Sequence, residues 1–271
     1  MFNWQEDSKA LRRWLANIAP DSVKVWLKQC AYQLYLLSEN FFKGPFSKYD
    51  FQTIIIFKRF LMPTSNCVDV GANVGHILRE IIKAAPKGQH YAFEPIPELS
   101  VRLEKKYGKH AKIVNCALSN REGRTSFMYY RDSPALSGFQ ERIRWGKHDI
   151  VKLEVQTKKL DDIISENVRV DLIKIDVEGA ELLVLQGARN TLKRNKPIVL
   201  FEAGLGGAEE FNPTPEQLFD FFTDCDMSVG LIEYFLRGND AFSREEFCGQ
   251  FNKGYNYFFV AYDPKKFAID S

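Results

Sequence analysis

Apolar residues recur along this chain in two different rhythms, and the change from one to the other divides it. From residue 4 to about 61 they return at three- and four-residue steps, the spacing of one face of a helix. The clearest run covers 21–42, where Val23, Trp26, Leu27, Cys30, Leu34 and Leu37 form a stripe and Asp21, directly after Pro20, is placed to cap it. Such a stripe packs a helix onto its own domain, or it serves as a dimer contact, a lid, or a helix lying on a membrane surface. A further helix is expected over 48–61, with Pro63 and Asn66 breaking the pattern.

From Cys67 onward, short apolar blocks alternate with helical stretches. Strands are expected at 67–70, 89–94, 112–116, 170–175 and 198–202, with helices at about 74–84, 96–107, 160–166 and 215–224 and another following the Asp176–Glu181 block to about Asn195. Segments 227–233 and 255–262 would add two more strands, joined by an irregular connection over 234–254. Alternation of this kind predicts an α/β fold: a doubly wound, mostly parallel seven-stranded sheet. Residues 124–130 and 151–157 interrupt it with two alternating segments, read as an antiparallel hairpin insertion around a long polar loop. The expected organisation is a helical extension over 1–64 and an α/β domain over 65–271.

The 271 residues are 45% hydrophobic and 27% charged, the balance of a globular protein with ample core material. A formal net charge of +2 gives no electrostatic reason to expect nucleic acid or an anionic membrane as partner. The five cysteines, at 30, 67, 116, 225 and 248, form no C-x-x-C pair, so neither structural zinc nor a disulfide framework is expected. Charges at Glu6, Asp7, Lys9, Arg12 and Arg13 break any secretory leader, and no apolar run is long enough to span a membrane. A reducing, cytoplasmic setting is the default expectation.

The stretch Cys67–Ile77 changes the picture from fold to chemistry. It reads as a buried strand ending on Asp69 and Val70, a turn of small residues from Gly71 to Gly75, and the start of a helix. This is either an ordinary strand-to-helix turn or the cradle of an adenosine-containing ligand at the carboxyl end of a strand. The dinucleotide fingerprint would need glycines at 73 and 76, where this chain has Asn73 and His76. The carboxylate of Asp69 also suits a cationic ligand better than a pyrophosphate. Glu94, at the end of the second strand, can accept both hydroxyls of a ribose, or it is a solvated acid before Pro95. Asn115, with the backbone near Ala117, either reaches an adenine edge or simply shapes a turn. Asp176 and Glu202 end two further strands.

Taken together, Cys67–Ile77, the turn at Phe93, Glu94 and Pro95, residues 115–119, and the block from Asp171 to Glu181 followed by Leu185 to Ala188 resemble the FkbM-type methyltransferases. The resemblance covers roughly residues 65–205. It implies a Rossmann-like class I methyltransferase fold that uses S-adenosyl-L-methionine, commonly for O-methylation of sugar or polyketide hydroxyls. It places Asp69, Gly71, Asn73, Gly75, Glu94, Asn115, Ala117 and Asp176 at the cofactor, and Asp176 and Glu178 beside the reacting methyl. An alcohol acceptor must lose its proton, and Asp176, Glu178, Glu202 and His148 are the candidates to take it. Asp176 and Glu202 could instead bind Mg²⁺, although two acids make only part of a hard-cation site. The acceptor is expected to be a small molecule or glycan recognised by 131–150, 206–214 and 234–254, with Trp145, Tyr234, Phe235 and Tyr255 available to stack on a ring, and the N-terminal helices are available for a homodimer. An NAD-dependent oxidoreductase or epimerase and a non-catalytic scaffold are the competing readings.

Overall fold

The computed structural model describes residues 48–139, 148–204, 213–254 and 256–267, all within a unit spanning Lys48–Ser271. The expected helices before residue 48, together with Trp145, Tyr255 and most of the 206–214 segment, lie outside the described residues.

Helix α1 (Lys48–Phe60) precedes the sheet, and its last turn is tied down where Arg59 donates to the Leu236 carbonyl at 2.6 Å. Strand β1 (Cys67–Val70), helix α2 (His76–Ala84), strand β2 (His90–Phe93), helix α3 (Pro97–Tyr107) and strand β3 (Ala111–Val114) follow as two successive βαβ units. After an insertion come α4 (Leu160–Ile163), β7 (Leu172–Ile175), α5 (Glu181–Gly187), α6 (Arg189–Asn195), β8 (Ile198–Glu202), α7 (Pro215–Asp224) and β9 (Ser228–Leu231). The chain then runs through α8 (Ile232–Arg237) and α9 (Arg244–Lys253) to β10 (Phe258–Tyr262). The strands form the expected seven-stranded sheet in the order β3-β2-β1-β7-β8-β10-β9, parallel except for β10, which is antiparallel to both neighbours.

Strand alternation sends side chains to two faces, and each face is covered. Val68, Val70, Phe93, Ile175 and Phe201 join a large apolar core with residues of α5, α6, α7 and α9. Ala92 and Ala72 pack on the other side against Leu78 of α2 and Leu103 and Tyr107 of α3. Asp69 is the register partner of Ala92 on one side and of Lys174 on the other, so all three share that second face. The centre of the sheet therefore carries a charged pair where its neighbours are apolar.

The insertion is a hairpin of β5 (Gly123–Tyr130) and β6 (Ile150–Lys158), paired from Gly123 with Thr157 to Tyr130 with Ile150. It is joined by the two-residue β4 (Ala117–Leu118), which runs parallel to β6. Among the described residues no helix is long and apolar enough to cross a membrane.

Several expected boundaries move. The helix expected after the Asp176–Glu181 block, to about Asn195, is two helices, because Ala188 leaves helical geometry at φ −111° and ψ 6°. The helix at 160–166 shortens to one turn, and the strand at 170–175 begins at Leu172. The strand at 227–233 stops at Leu231, and the connection expected to be irregular holds α8 and α9. Helix α9 starts at a reciprocal cap, Ser243 with Glu246, a serine-x-x-glutamate spacing that reads as a helix start. Phe235 is buried against Phe60 and Tyr262, so it belongs to the core and is not free to stack on a ligand; Tyr234 is partly exposed.

Phe222 sits fully buried 4.9 Å from Phe201, joining α7 to the central strand β8. Phe222→Ala is expected to destabilise the fold by about 3–5 kcal/mol, since both the transfer energy and the cavity count against the variant. Chemical denaturation checks this, and a loss below about 1 kcal/mol would show that α7 is not anchored through this ring.

Candidate active site

The turn after β1 is built on alternating left-handed residues. Gly71 has φ +74°, Asn73 +49° and Gly75 +79°. Asparagine is among the few non-glycine residues that adopt this region readily, which accounts for its place between the two glycines. A side chain on Gly71 would lie 2.0 Å from the Asp176 carbonyl oxygen, and one on Gly75 would lie 2.6 Å from the Tyr107 ring. Both glycines thus make room for the protein's own packing.

Glu94 holds this turn from the neighbouring strand. Its Oε2 accepts from the Asn73 N–H at 2.7 Å and its Oε1 from the Ile96 N–H at 2.9 Å. The backbone N–H groups of Gly71 and Ala72 also donate to the Phe93 carbonyl. Burial pushes the Glu94 carboxyl up to about 7, against the lowering effect of the Ile96 and Asn73 N–H groups. The Asn115 side-chain amide donates to the Glu94 and Pro95 carbonyls at 2.8 and 3.0 Å, bracing the same corner. Ala117 is buried in β4 among Ile96, Leu99 and Phe127.

The second half of the site lies at the ends of β7 and β8. Ile175 pairs with Phe201, so the next residues along, Asp176 and Glu202, stand side by side where the two strands end. Glu178 joins them from a left-handed conformation at φ +59°. One oxygen of each of these three acids lies within 4.8 Å of the others. Burial raises the Glu202 carboxyl well above the usual range, and the charges of Asp176 and Glu178 push it the same way. Asp176 and Glu202 are thus close enough that the charge of one favours the protonated form of the other.

Lys174 connects the two halves. It is 5% exposed. Its Nζ lies 3.3 Å from Asp176 Oδ2 and 3.6 Å from Asp69 Oδ1, and it donates to the Gly71 carbonyl at 3.3 Å. Burial alone would lower its pKa, but Asp176 and Asp69 outweigh that and hold the ammonium above the ordinary lysine value. Asp69 is fully buried, and neither of its oxygens makes a hydrogen bond; burial raises its carboxyl while Lys174 lowers it.

The fold therefore gathers Asp69, Gly71, Asn73, Gly75 and Glu94 at one end of the site and Asp176, Glu178 and Glu202 at the other. His148 is held by the insertion: its Nδ1 is 2.8 Å from Asp132 Oδ2 and its ring lies edge-on to Tyr130. The sequence reading missed Lys174, although a lysine at an inward position of an apolar strand, two residues before Asp176, was its signal. It also underrated Glu181. That carboxylate is buried and accepts from the N–H groups of Val177 and Gly179 at 3.3 and 3.1 Å, so it shapes the turn that presents Glu178.

A family model described as the methyltransferase FkbM domain matches residues 69–229. The chain is 31% identical over 150 residues to the 2-O-methyltransferase NoeI of Sinorhizobium fredii, covering 49% of this chain and 61% of that protein. It is 27% identical over 160 residues to the 31-O-demethyl-FK506 methyltransferase FkbM of Streptomyces tacrolimicus, covering 48% and 62%. It spans less than two thirds of the length of either relative. A crystal structure of methyltransferase FkbM from Methylobacillus flagellatus KT aligns at a TM-score of 0.47 and 18% identity, over 78% of this chain and 48% of that one.

Burial lifts Glu181 to about 7 in the folded chain, from an ordinary value of 4.5, with the Gly179 N–H opposing the shift. A carboxyl whose pKa rises on folding stabilises most when protonated, and that contribution drains away as pH rises from about 4.5 through about 7. Glu181→Gln keeps an acceptor oxygen and removes the charge. The variant is therefore expected to gain in melting temperature relative to the parent as pH is raised from 5 to 8. A difference that stays constant over that range would remove Glu181 from this role.

Proposed function

Because the chain belongs to the methyltransferase FkbM domain family, we propose that it is an S-adenosyl-L-methionine-dependent O-methyltransferase acting on a hydroxyl of a small molecule or glycan. The relatives named as a 2-O-methyltransferase and a 31-O-demethyl-FK506 methyltransferase support oxygen as the accepting atom. The observation that carries the reading is the site's stock of buried acceptors short of donors. Both oxygens of Asp69 and the Oδ1 of Asn73 are buried without a hydrogen-bond partner. Glu94 uses one lone pair of each oxygen on the backbone and keeps the others.

A ligand with ribose hydroxyls, an ammonium and a sulfonium brings the donors and positive charge such a site needs. A dinucleotide would bring a pyrophosphate into a ring of carboxylates, which argues against the oxidoreductase reading. On this reading Glu94 and Asn73 hold the ribose end, Asp69 faces the cationic end, and Asn115 keeps the corner rigid. When bound, the cofactor supplies an activated methyl group for in-line displacement.

The chain's own part in that reaction is to orient the acceptor hydroxyl and take its proton. Asp176 suits this role, because the Lys174 ammonium 3.3 Å away favours its ionised form while burial favours a protonated Glu202 beside it. Glu178 adds a further acceptor for the substrate's hydroxyls. We assign the three acids to proton handling, since the Lys174 ammonium beside Asp176 already offsets part of their charge. His148, held by Asp132, is assigned to the insertion.

Calorimetry separates the readings. Binding of S-adenosylhomocysteine with no measurable binding of NAD is expected; the reverse result would overturn the methyltransferase reading. Glu94→Ala is expected to weaken S-adenosylhomocysteine by about tenfold or more, the scale of a charge-assisted hydrogen bond. Unchanged affinity would take Glu94 out of the ribose role.

A further inference from the structure

Resting on the methyltransferase reading, we infer that Lys174 is a positioning residue for methyl transfer, tying the turn at the methyl donor's end to Asp176 and keeping Asp176 ionised. Its ammonium has three N–H donors and three partners in reach: Asp69 of β1, the Gly71 carbonyl of the turn, and Asp176 beyond the end of β7. These partners belong to the two separate segments that make the two ends of the site. The Asp176 carbonyl also lies where a side chain on Gly71 would be, so backbone packing and the lysine's polar contacts fasten the same two segments together.

The charges leave Lys174 little else to do. The groups that bear on it are Asp69 on β1, Asp176 after β7 and Glu202 at the end of β8, and Glu94 at the end of β2 feels its charge. Glu178, in the turn after β7, and Glu181, at the start of α5, also disfavour a charged Glu202. Every one of these groups is an acid, so removing the one ammonium among them would favour proton uptake by its nearest carboxylates. Asp176 lies nearer to Nζ than Asp69 does, at 3.3 against 3.6 Å. A protonated Asp176 could neither accept a hydroxyl proton nor attract a cationic donor. In this arrangement, the lysine touches no reactant and acts through the carboxylate it holds.

The test is the pH dependence of S-adenosylmethionine binding, measured by calorimetry on the full chain from pH 5 to 9. Lys174→Met is expected to raise the pH at which half the affinity is lost by about 1–3 units, the usual effect of an opposite charge at this distance. Because this variant strands Asp69 and could fail to fold, the double variant Lys174→Met with Asp69→Asn is measured alongside it. The same upward shift is expected there, with a cooperative melting transition retained. The shift is expected to vanish when Asp176→Asn is added.

Weakening by the same factor at every pH would mean that Lys174 is merely structural and would overturn the inference. A shift that persists without the Asp176 carboxylate would overturn it too. Failure of the parent chain to bind either S-adenosylmethionine or S-adenosylhomocysteine is a different result: it would overturn the methyltransferase reading, and this inference with it.

Discussion

One buried ammonium holds the centre of this molecule together. Strands β1 and β7 lie side by side in the middle of the sheet, and their register sets Asp69 against Lys174 on one face. Removing one partner from such a buried pair costs about 3–5 kcal/mol, because the other is left charged and bare. A one-residue slip between the strands would send both side chains to opposite faces. The pair thus specifies the register of the two strands whose ends carry the site, and it does so from within an otherwise apolar layer. Replacing both residues with hydrophobic ones would remove the desolvation cost but also the tether to Asp176 and to the Gly71 carbonyl.

The turn above that pair is a backbone device before it is a binding device. Its left-handed residues fold it tightly enough for α2 to start at His76, and its glycines are required by Tyr107 and by the Asp176 carbonyl. Around it lie polar side chains: Asn73, Glu94 and the carboxylate of Asp69, which pairs with Lys174 and makes no hydrogen bond. On the proposed reading, recognition rests on side chains held by neighbouring strands, while the turn supplies their spacing.

Local pattern carried much of this into the sequence. The parallel strands read as short apolar blocks, the hairpin as two alternating segments, and the acids at strand ends as single polar residues closing each block. Contacts between segments distant in the sequence were not legible. Lys174 looked like an exception inside a strand until Asp69, more than a hundred positions earlier, was found beside it. Glu181 could be read as an acid at a helix start, but its hold on the preceding turn depends on how Val177 and Gly179 point. Helices α8 and α9 lay hidden in what read as a connection, because α8 follows β9 without a polar break and α9 is announced only by the Ser243 and Glu246 cap.

The hairpin bears on how such a protein can diversify. Its two long strands bond to each other and β6 also bonds to the two-residue β4, and among the named strands none of the three pairs with the seven-stranded sheet. Near its far end Gly138 exchanges backbone hydrogen bonds with Met128, and a side chain on Gly138 would come within 3.6 Å of Glu178. A change of length or composition in the hairpin would thus be felt at Glu178 without disturbing the pairing of β1 and β7. The hairpin beside Glu178 can be exchanged by evolution, or by an engineer, on a separate schedule from the charged centre that the rest of the chain is built to keep.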